Sequence, residues 1–200
     1  ALADNLLLKV ASVIRDEVTT TDELIPSGET ASYRSNPEKI SEFTLCRKDP
    51  QYVGRAKNVR EYEKARLAGD KSKAEEYFAV LDKAGIKADS ENLMQHTGIG
   101  SVLYAKRPGD GSAREYAASC QKVLGGFANI CIEYATKRYR SNCVNWGILP
   151  FTCADYKIQL EPDEYIYLPK IRQQIEAGIT DIEAIVISKD GSTRKLALKL

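Results

Sequence analysis

The sequence lacks a charge imbalance. Its 200 residues include 29 Lys and Arg against 28 Asp and Glu, so the formal net charge is +1. A chain this balanced offers no general electrostatic field to a polyanion or to a membrane surface. We therefore predict neither a nucleic-acid partner nor a membrane partner, and we expect any anion site to be local.

Long apolar runs are also missing. The segment from Leu6 to Ile14 is interrupted by Lys9, is too short to cross a bilayer, and lacks a basic leader or a cleavage signature. We expect a cytoplasmic protein. Because the chain begins without methionine, we also expect it to be a fragment of a longer enzyme or a processed subunit.

Metal-binding patterns are absent as well. The five cysteines are widely and unevenly spaced without a C-x-x-C pair, which predicts buried or half-buried free thiols and no metal site in this chain. They are Cys46, Cys120, Cys131, Cys143 and Cys153. The one histidine, His96, lies in a predicted loop, where a structural or exposed role is more typical than a catalytic one.

The composition that remains, 43% hydrophobic and 28% charged residues, is that of one globular domain spanning residues 1–200. Strands are predicted over 6–14, 98–105, 123–132, 182–188 and 194–200, and helices over 55–83 with a break at Gly69-Asp70, 134–146 and 170–177. The mixture indicates an α/β fold. The Thr-Thr-Asp and Pro-Ser-Gly clusters between residues 20 and 28 are typical of a loop.

The most informative motif runs from Gly111 to Glu115, where a predicted strand and a glycine loop lead into a helix. Glycines let the backbone approach a ligand closely, and the first helical N–H groups favour an anion. Arg114 adds a planar fork suited to a carboxylate. The same residues also fit a capping box of Ser112 and Glu115, which requires no ligand.

Three other segments accompany this motif. Thr20-Thr21-Asp22-Glu23-Leu24-Ile25-Pro26-Ser27-Gly28 is followed by Arg34, twelve residues after the aspartate, and Asn142 opens a segment that ends in Gly147-Ile148-Leu149-Pro150. With G-S-A-R-E, these blocks resemble, in order, the C-terminal swivelling domain of the aconitase family of iron–sulfur hydro-lyases. The resemblance covers most of residues 20–151. It implies a swivelling β/β/α domain with a partly closed barrel or sheet flanked by helices.

The resemblance also implies roles for four residues. Ser112 matches the serine that, as an alkoxide, removes a proton from the carbon next to a carboxylate. Arg34 and Arg114 match arginines that hold substrate carboxylates, and Asp22 matches an aspartate hydrogen-bonded within the site. A [4Fe–4S] cluster is expected in the complete enzyme, held by another domain or subunit.

Several positions depart from the family pattern. Ala113 replaces a second serine, Tyr116 replaces a histidine, and Glu23 replaces the histidine that follows the aspartate. The segment 133–139 shares almost nothing with the family's K-S-F-A-R-I-H. Loss of a hydroxyl donor at an oxyanion-type position costs on the order of a hundredfold in rate.

Other residues allow two interpretations each. Arg34 either contacts substrate, which its spacing from Asp22 favours, or pairs with Glu38 or another local acid. Trp146 is predicted to pack in the core and not to stack on a ligand. The basic residues Lys137, Arg138 and Arg140 are predicted to be plain surface, with RNA contact as the less favoured reading.

We therefore predict the substrate-binding, base-supplying domain of an aconitase-like hydratase that acts on a small hydroxy-di- or tricarboxylate and is inactive in isolation. Two alternatives stay open: a non-catalytic paralogue that binds a carboxylate or a protein partner, and a free-standing small subunit like those of isopropylmalate isomerases. The sequence does not identify the substrate.

Overall fold

The computed structural model describes residues 1–155 and 157–200, with helices packed outside a closed barrel of seven strands. The strands are β1 Asn5–Ile14, β2 Thr19–Thr20, β3 Thr97–Ala105, β4 Pro108–Asp110, β5 Gly126–Cys131, β6 Leu149–Thr152, β7 Tyr165–Leu168, β8 Asp181–Ile187 and β9 Thr193–Lys199. The helices are α1 Thr21–Leu24, α2 Pro37–Ser41, α3 Tyr52–Leu67, α4 Lys71–Lys83, α5 Ser90–His96, α6 Arg114–Val123, α7 Lys137–Asn145 and α8 Ile171–Glu176. A 3-10 turn, Ala31–Tyr33, precedes α2.

The barrel has the strand order β1-β3-β5-β6-β9-β8-β7, and β7 returns to β1. Its first four strands are parallel to one another, and the remaining pairings are antiparallel. Strands β6 and β9 join through a single residue pair, Thr152 with Lys199. Strands β2 and β4 lie outside the barrel and form a small parallel sheet of their own.

Alternation along β1 assigns its side chains to different layers. Leu6, Leu8 and Val10 are buried inside the barrel, whereas Leu7 points outward into the cluster formed with α3 and α4. The register shifts between Val10 and Ser12. Burying a leucine side chain contributes about 1.5–3 kcal/mol, so both faces of this strand stabilise the fold.

A third cluster packs between the other side of the barrel and α2, α3, α6 and α7. Ile40, Ala56, Ala117 and Tyr139 meet there and are almost fully buried. This layer fixes α6 and α7 against β3, whose end leads to the glycine loop. No helix in the described part of the chain is both long enough and apolar enough to span a membrane.

The α/β prediction and the barrel are confirmed, and the barrel is closed, not partly open. The break between α3 and α4 falls where it was expected, because Gly69 has a φ of +81° and Asp70 caps α4 by accepting from the Lys73 N–H. Two expectations were wrong in extent. The segment expected to be loop contains β2 and α1, and β5 begins three residues late because α6 continues to Val123.

Gly54 offers a simple test of the packing. It lies exposed in α3, and a β-carbon built there meets no atom within 4 Å. Glycine costs a helix about 0.5–1 kcal/mol relative to alanine, so we expect Gly54→Ala to raise the free energy of unfolding by up to that amount. Urea denaturation of both proteins measures the difference, and a lower stability in the variant would contradict the exposed position.

Candidate active site

A glycine loop connects the barrel to α6. After β3, the short strand β4 pairs with β2, and the chain then passes through Gly111 into the helix. Gly109 and Gly111 have φ values of +102° and +127°, which favour glycine. A β-carbon on Gly111 would collide with the Thr21 hydroxyl. The missing side chain therefore lets the glycine loop contact α1, the helix that carries Asp22.

The first turn of α6 is not closed by the capping box. Ala113 is the N-cap residue and makes no side-chain cap, while Ser112 lies one residue earlier with an exposed side chain. The Glu115 carboxylate instead accepts hydrogen bonds from Asn142 Nδ2 and, at 2.6 Å, from Trp146 Nε1. The interpretation of Ser112 and Glu115 as a capping box was wrong. Without a side-chain cap, the N–H groups of this turn remain suited to an anion.

Arg34 and Ser112 line the same cavity, of about 330 Å³. The other lining residues are Ile25, Ser27, Thr30, Ala113, Glu115 and Tyr116. The Arg34 guanidinium lies 5.8 Å from the centre of the Tyr116 ring. Its proposed local partner, Glu38, is instead bound by Arg60 at 3.2 Å, so that alternative for Arg34 was wrong. Arg34 has no ion-pair partner among residues 1–155 and 157–200.

Arg114 is the first residue of α6 and is not part of the cavity lining. Its Nε is buried and has no hydrogen-bond partner in the described part of the protein, nor does its guanidinium form an ion pair there. A buried donor without a partner costs about 1–3 kcal/mol. This cost is what a ligand or a second polypeptide would remove by supplying an acceptor.

Asp22 does not line the cavity but is hydrogen-bonded to Ser27, which does. Its Oδ1 accepts from the Ser27 N–H at 3.1 Å and from the Ser27 hydroxyl at 3.3 Å, and Ser27 lines the cavity. Its Oδ2 accepts from Arg47 at 3.3 Å, and Arg47 also binds Glu29 at 2.6 Å. Asp22 therefore fixes the loop beside Arg34. Ser27, Arg47 and Tyr116 were missed as site residues.

Glu23, which stands where the resemblance expects histidine, has a structural role. It forms a capping box with Thr20 and pairs with Lys48 at 3.0 Å. Partial burial alone would raise the pKa of its carboxyl, but the hydrogen bonds from Thr20 and Lys48 outweigh that effect and lower it. The carboxylate is consequently held as an anion by the loop.

Three further sequence interpretations can be compared with the structure. Trp146 is 40% exposed, so the prediction of core packing was wrong. His96 Nδ1 lies 2.6 Å from Asp4 Oδ2 at the surface, a structural pairing. Helix α7 carries the basic residues Lys137, Arg138 and Arg140. Its N-cap residue, Thr136, donates a hydrogen bond to the Gly109 carbonyl oxygen at 3.1 Å, so this basic turn lies next to the glycine loop.

The cysteines do not form a metal site. All five are free, and four are buried. Burial raises the pKa of Cys120 to about 11, that of Cys131 to about 12 and that of Cys143 to about 11, which disfavours the thiolate that a metal requires. Among the described residues no group of three or more His, Cys, Asp or Glu side chains is placed to hold a metal ion. These residues do not fit an iron–sulfur cluster.

Part of the sequence matches a known protein family. Residues 69–156 match the model of the aconitase C-terminal domain. Over these residues, which are less than half of the chain, the sequence is similar to that domain. The matched region includes Ser112 and Arg114, whereas Asp22 and Arg34 lie before it. No curated protein sequence matches the chain significantly.

The fold of the chain also has a solved counterpart. The chain is similar to the crystal structure of 3-isopropylmalate dehydratase (leuD) from Methanocaldococcus jannaschii, with a TM-score of 0.53 and 15% identity. The similarity covers 98% of this chain and 81% of that one. At this identity it shows a shared fold.

Proposed function

We propose that this chain is the substrate-binding and base-supplying part of an aconitase-like hydro-lyase. It would remove water from, and return it to, a small hydroxy-di- or tricarboxylate, together with a domain or subunit that holds the [4Fe–4S] cluster. The observation that carries the proposal is the shared cavity of Arg34 and Ser112 at the uncapped start of α6.

The proposed proton removal by Ser112 depends on positive charge near its hydroxyl. A serine hydroxyl is a weak base in water and needs nearby positive charge before its anion is tolerable. Arg34 in the cavity wall, Arg114 beside it and the N–H groups at the start of α6 would supply that field. Ser112 would then take the proton from the carbon next to a carboxylate that the two guanidinium groups hold.

Part of the cavity wall is apolar and supplies no hydrogen-bond donor to a substrate. Ile25, Ala113 and the Tyr116 ring line it beside Arg34 and Ser112. Ala113 supplies no hydroxyl, so one donor that the family uses is missing. This observation favours the second candidate function, a paralogue that binds a carboxylate without turning it over.

Binding of a dicarboxylate tests the proposal directly. We expect the chain to bind malonate or citrate, and Arg34→Met to weaken that binding about 10- to 100-fold, because a charge-assisted hydrogen bond contributes about 1.5–3 kcal/mol. Isothermal titration calorimetry measures both affinities.

Arg15→Met is the matched control, because Arg15 pairs with Glu161 at the surface and does not line this cavity. Its affinity for the dicarboxylate should equal that of the unchanged chain. If both variants lose affinity equally, or if neither malonate nor citrate binds, the cavity is not a carboxylate site and the proposal fails.

A further inference from the structure

A second and larger cavity, of about 740 Å³, lies where the ends of α3 and α7 meet the start of β6. We call it the Trp146 groove. Its walls are mostly apolar and include Leu2, Leu6, Phe127, Val144, Trp146 and Leu149. The volume lies within the range of about 300–1,000 Å³ that is typical of small-molecule sites.

Exposed apolar side chains concentrate in this groove. The described residues carry five large hydrophobic side chains that are exposed, and three of them line it: Leu67, Val144 and Trp146. Single exposed hydrophobic residues are common, but a group that lines one concavity marks a binding surface. The interior of the groove is therefore built to contact an apolar body.

One cation in the groove has no counter-ion. Lys122 Nζ lies 4.2 Å from the centre of the Phe127 ring and donates to the Gly147 carbonyl oxygen at 3.3 Å. No carboxylate of the described residues lies within ion-pair distance of it. Burial of this ammonium lowers its pKa, which means that the surroundings do not compensate its charge.

The other charged residues of the groove are already paired. Glu63 accepts two hydrogen bonds from Arg66, both at 2.7 Å, and one from the Ile99 N–H at 2.9 Å. The Glu63–Arg66 pair is neutral overall, so among the side chains that line the groove Lys122 is the unpaired cation. An anionic group on the ligand would complement it.

The aromatic wall is held in place before any ligand arrives. The Trp146 indole N–H donates to Glu115 at 2.6 Å, and Glu115 also binds Asn142. An indole fixed in this way loses little conformational entropy on binding.

We propose that the Trp146 groove binds an amphipathic monocarboxylate, with a short alkyl or aryl body against Phe127 and Trp146 and the carboxylate on Lys122. This site is separate from the Arg34–Ser112 cavity and does not depend on the function proposed for it. The one unpaired cationic side chain of the groove, Lys122, matches one carboxylate.

Trp146 is the only tryptophan of the chain and lines this groove, so its fluorescence reports on binding there. We expect hexanoate and 3-phenylpropionate to change the emission saturably and hexanamide to bind about tenfold or more weakly, because the amide cannot form the ion pair. In Lys122→Met, the carboxylates should bind no better than hexanamide.

Lys71→Met is the control variant, because Lys71 is exposed on α4 and does not line the groove. It should bind the carboxylates as the unchanged chain does. Val144→Glu provides a second test that does not alter Lys122, since a carboxylate placed in the groove wall should abolish binding of hexanoate while circular dichroism confirms folding.

Several results would each overturn the proposal. They are a fluorescence that does not saturate, equal affinity for hexanoate and hexanamide, an unchanged preference in Lys122→Met, and unchanged binding in Val144→Glu. An emission change that follows protein concentration and is insensitive to hexanoate would also overturn it, and would identify the groove as a contact between copies of the chain.

Discussion

Ser112→Ala is expected to lower kcat of the assembled enzyme about 10²- to 10⁴-fold, the range typical for removal of a general base. The side chain is exposed and forms no hydrogen bond within the described protein, so its loss should leave the fold intact. The affinity for malonate should change by less than about threefold, because the arginines, not the hydroxyl, hold the carboxylates in the proposed site. Steady-state turnover of hydroxy-acids and malonate inhibition measure the two effects.

The assay requires the cluster-bearing partner, since we expect the chain alone to be inactive. Ser119→Ala is the matched control, because Ser119 lies on the same helix and its hydroxyl donates to the Tyr116 carbonyl oxygen. Equal kcat in Ser112→Ala and in the unchanged enzyme would exclude Ser112 as the base. Malonate binding without turnover in the unchanged, cluster-loaded enzyme would instead support the non-catalytic paralogue.

Gly109→Ala is expected to lower the free energy of unfolding by about 2–6 kcal/mol. A φ of +102° is unfavourable for alanine and costs about 1–3 kcal/mol, and overpacking a buried site adds about 1–3 kcal/mol. The overpacking arises because a β-carbon at Gly109 would overlap the ring and the Cβ of Tyr139, which is fully buried. Urea denaturation measures the loss.

Gly28→Ala is the control for this substitution. Gly28 is exposed, has no positive φ, and a β-carbon there meets nothing within 4 Å, so the change in stability should stay within about 0.5 kcal/mol. Equal stability of the two variants would mean that the glycine loop does not pack on α7 as described. A loss confined to Gly109→Ala is the result expected from its positive φ together with its contact with Tyr139.

Local sequence patterns predicted much of the fold. The apolar run of β1 and the Gly69-Asp70 break between α3 and α4 depend on neighbouring residues, which is why the pattern located them. Closure of the barrel depends on pairing between β6 and β9, which are far apart in the sequence. That part was expected only from the family resemblance, because no local pattern encodes it.

At the candidate site, too, local patterns predicted less than the long-range contacts decide. Ser112 and Glu115 have capping-box spacing, but Glu115 is bound by Asn142 and Trp146 from α7 and its C-terminal end, and the same contact keeps Trp146 at the surface. Neither partner is visible to a local reading of the motif. That Arg34 and Ser112 would share a cavity followed only from the resemblance, and their catalytic roles stay predictions.

The pairing between β6 and β9, through a single residue pair, is the weakest strand pairing of the barrel. Among the described residues, one ladder pair joins β6 to β9, whereas nine residue pairs join β1 to β3. We therefore expect β6 and β9 to separate before the other strand pairs do, which would admit solvent to the barrel interior while the parallel strands stay paired. Local opening of the barrel would then occur beside β6, the strand that follows Gly147 and the C-terminal end of α7.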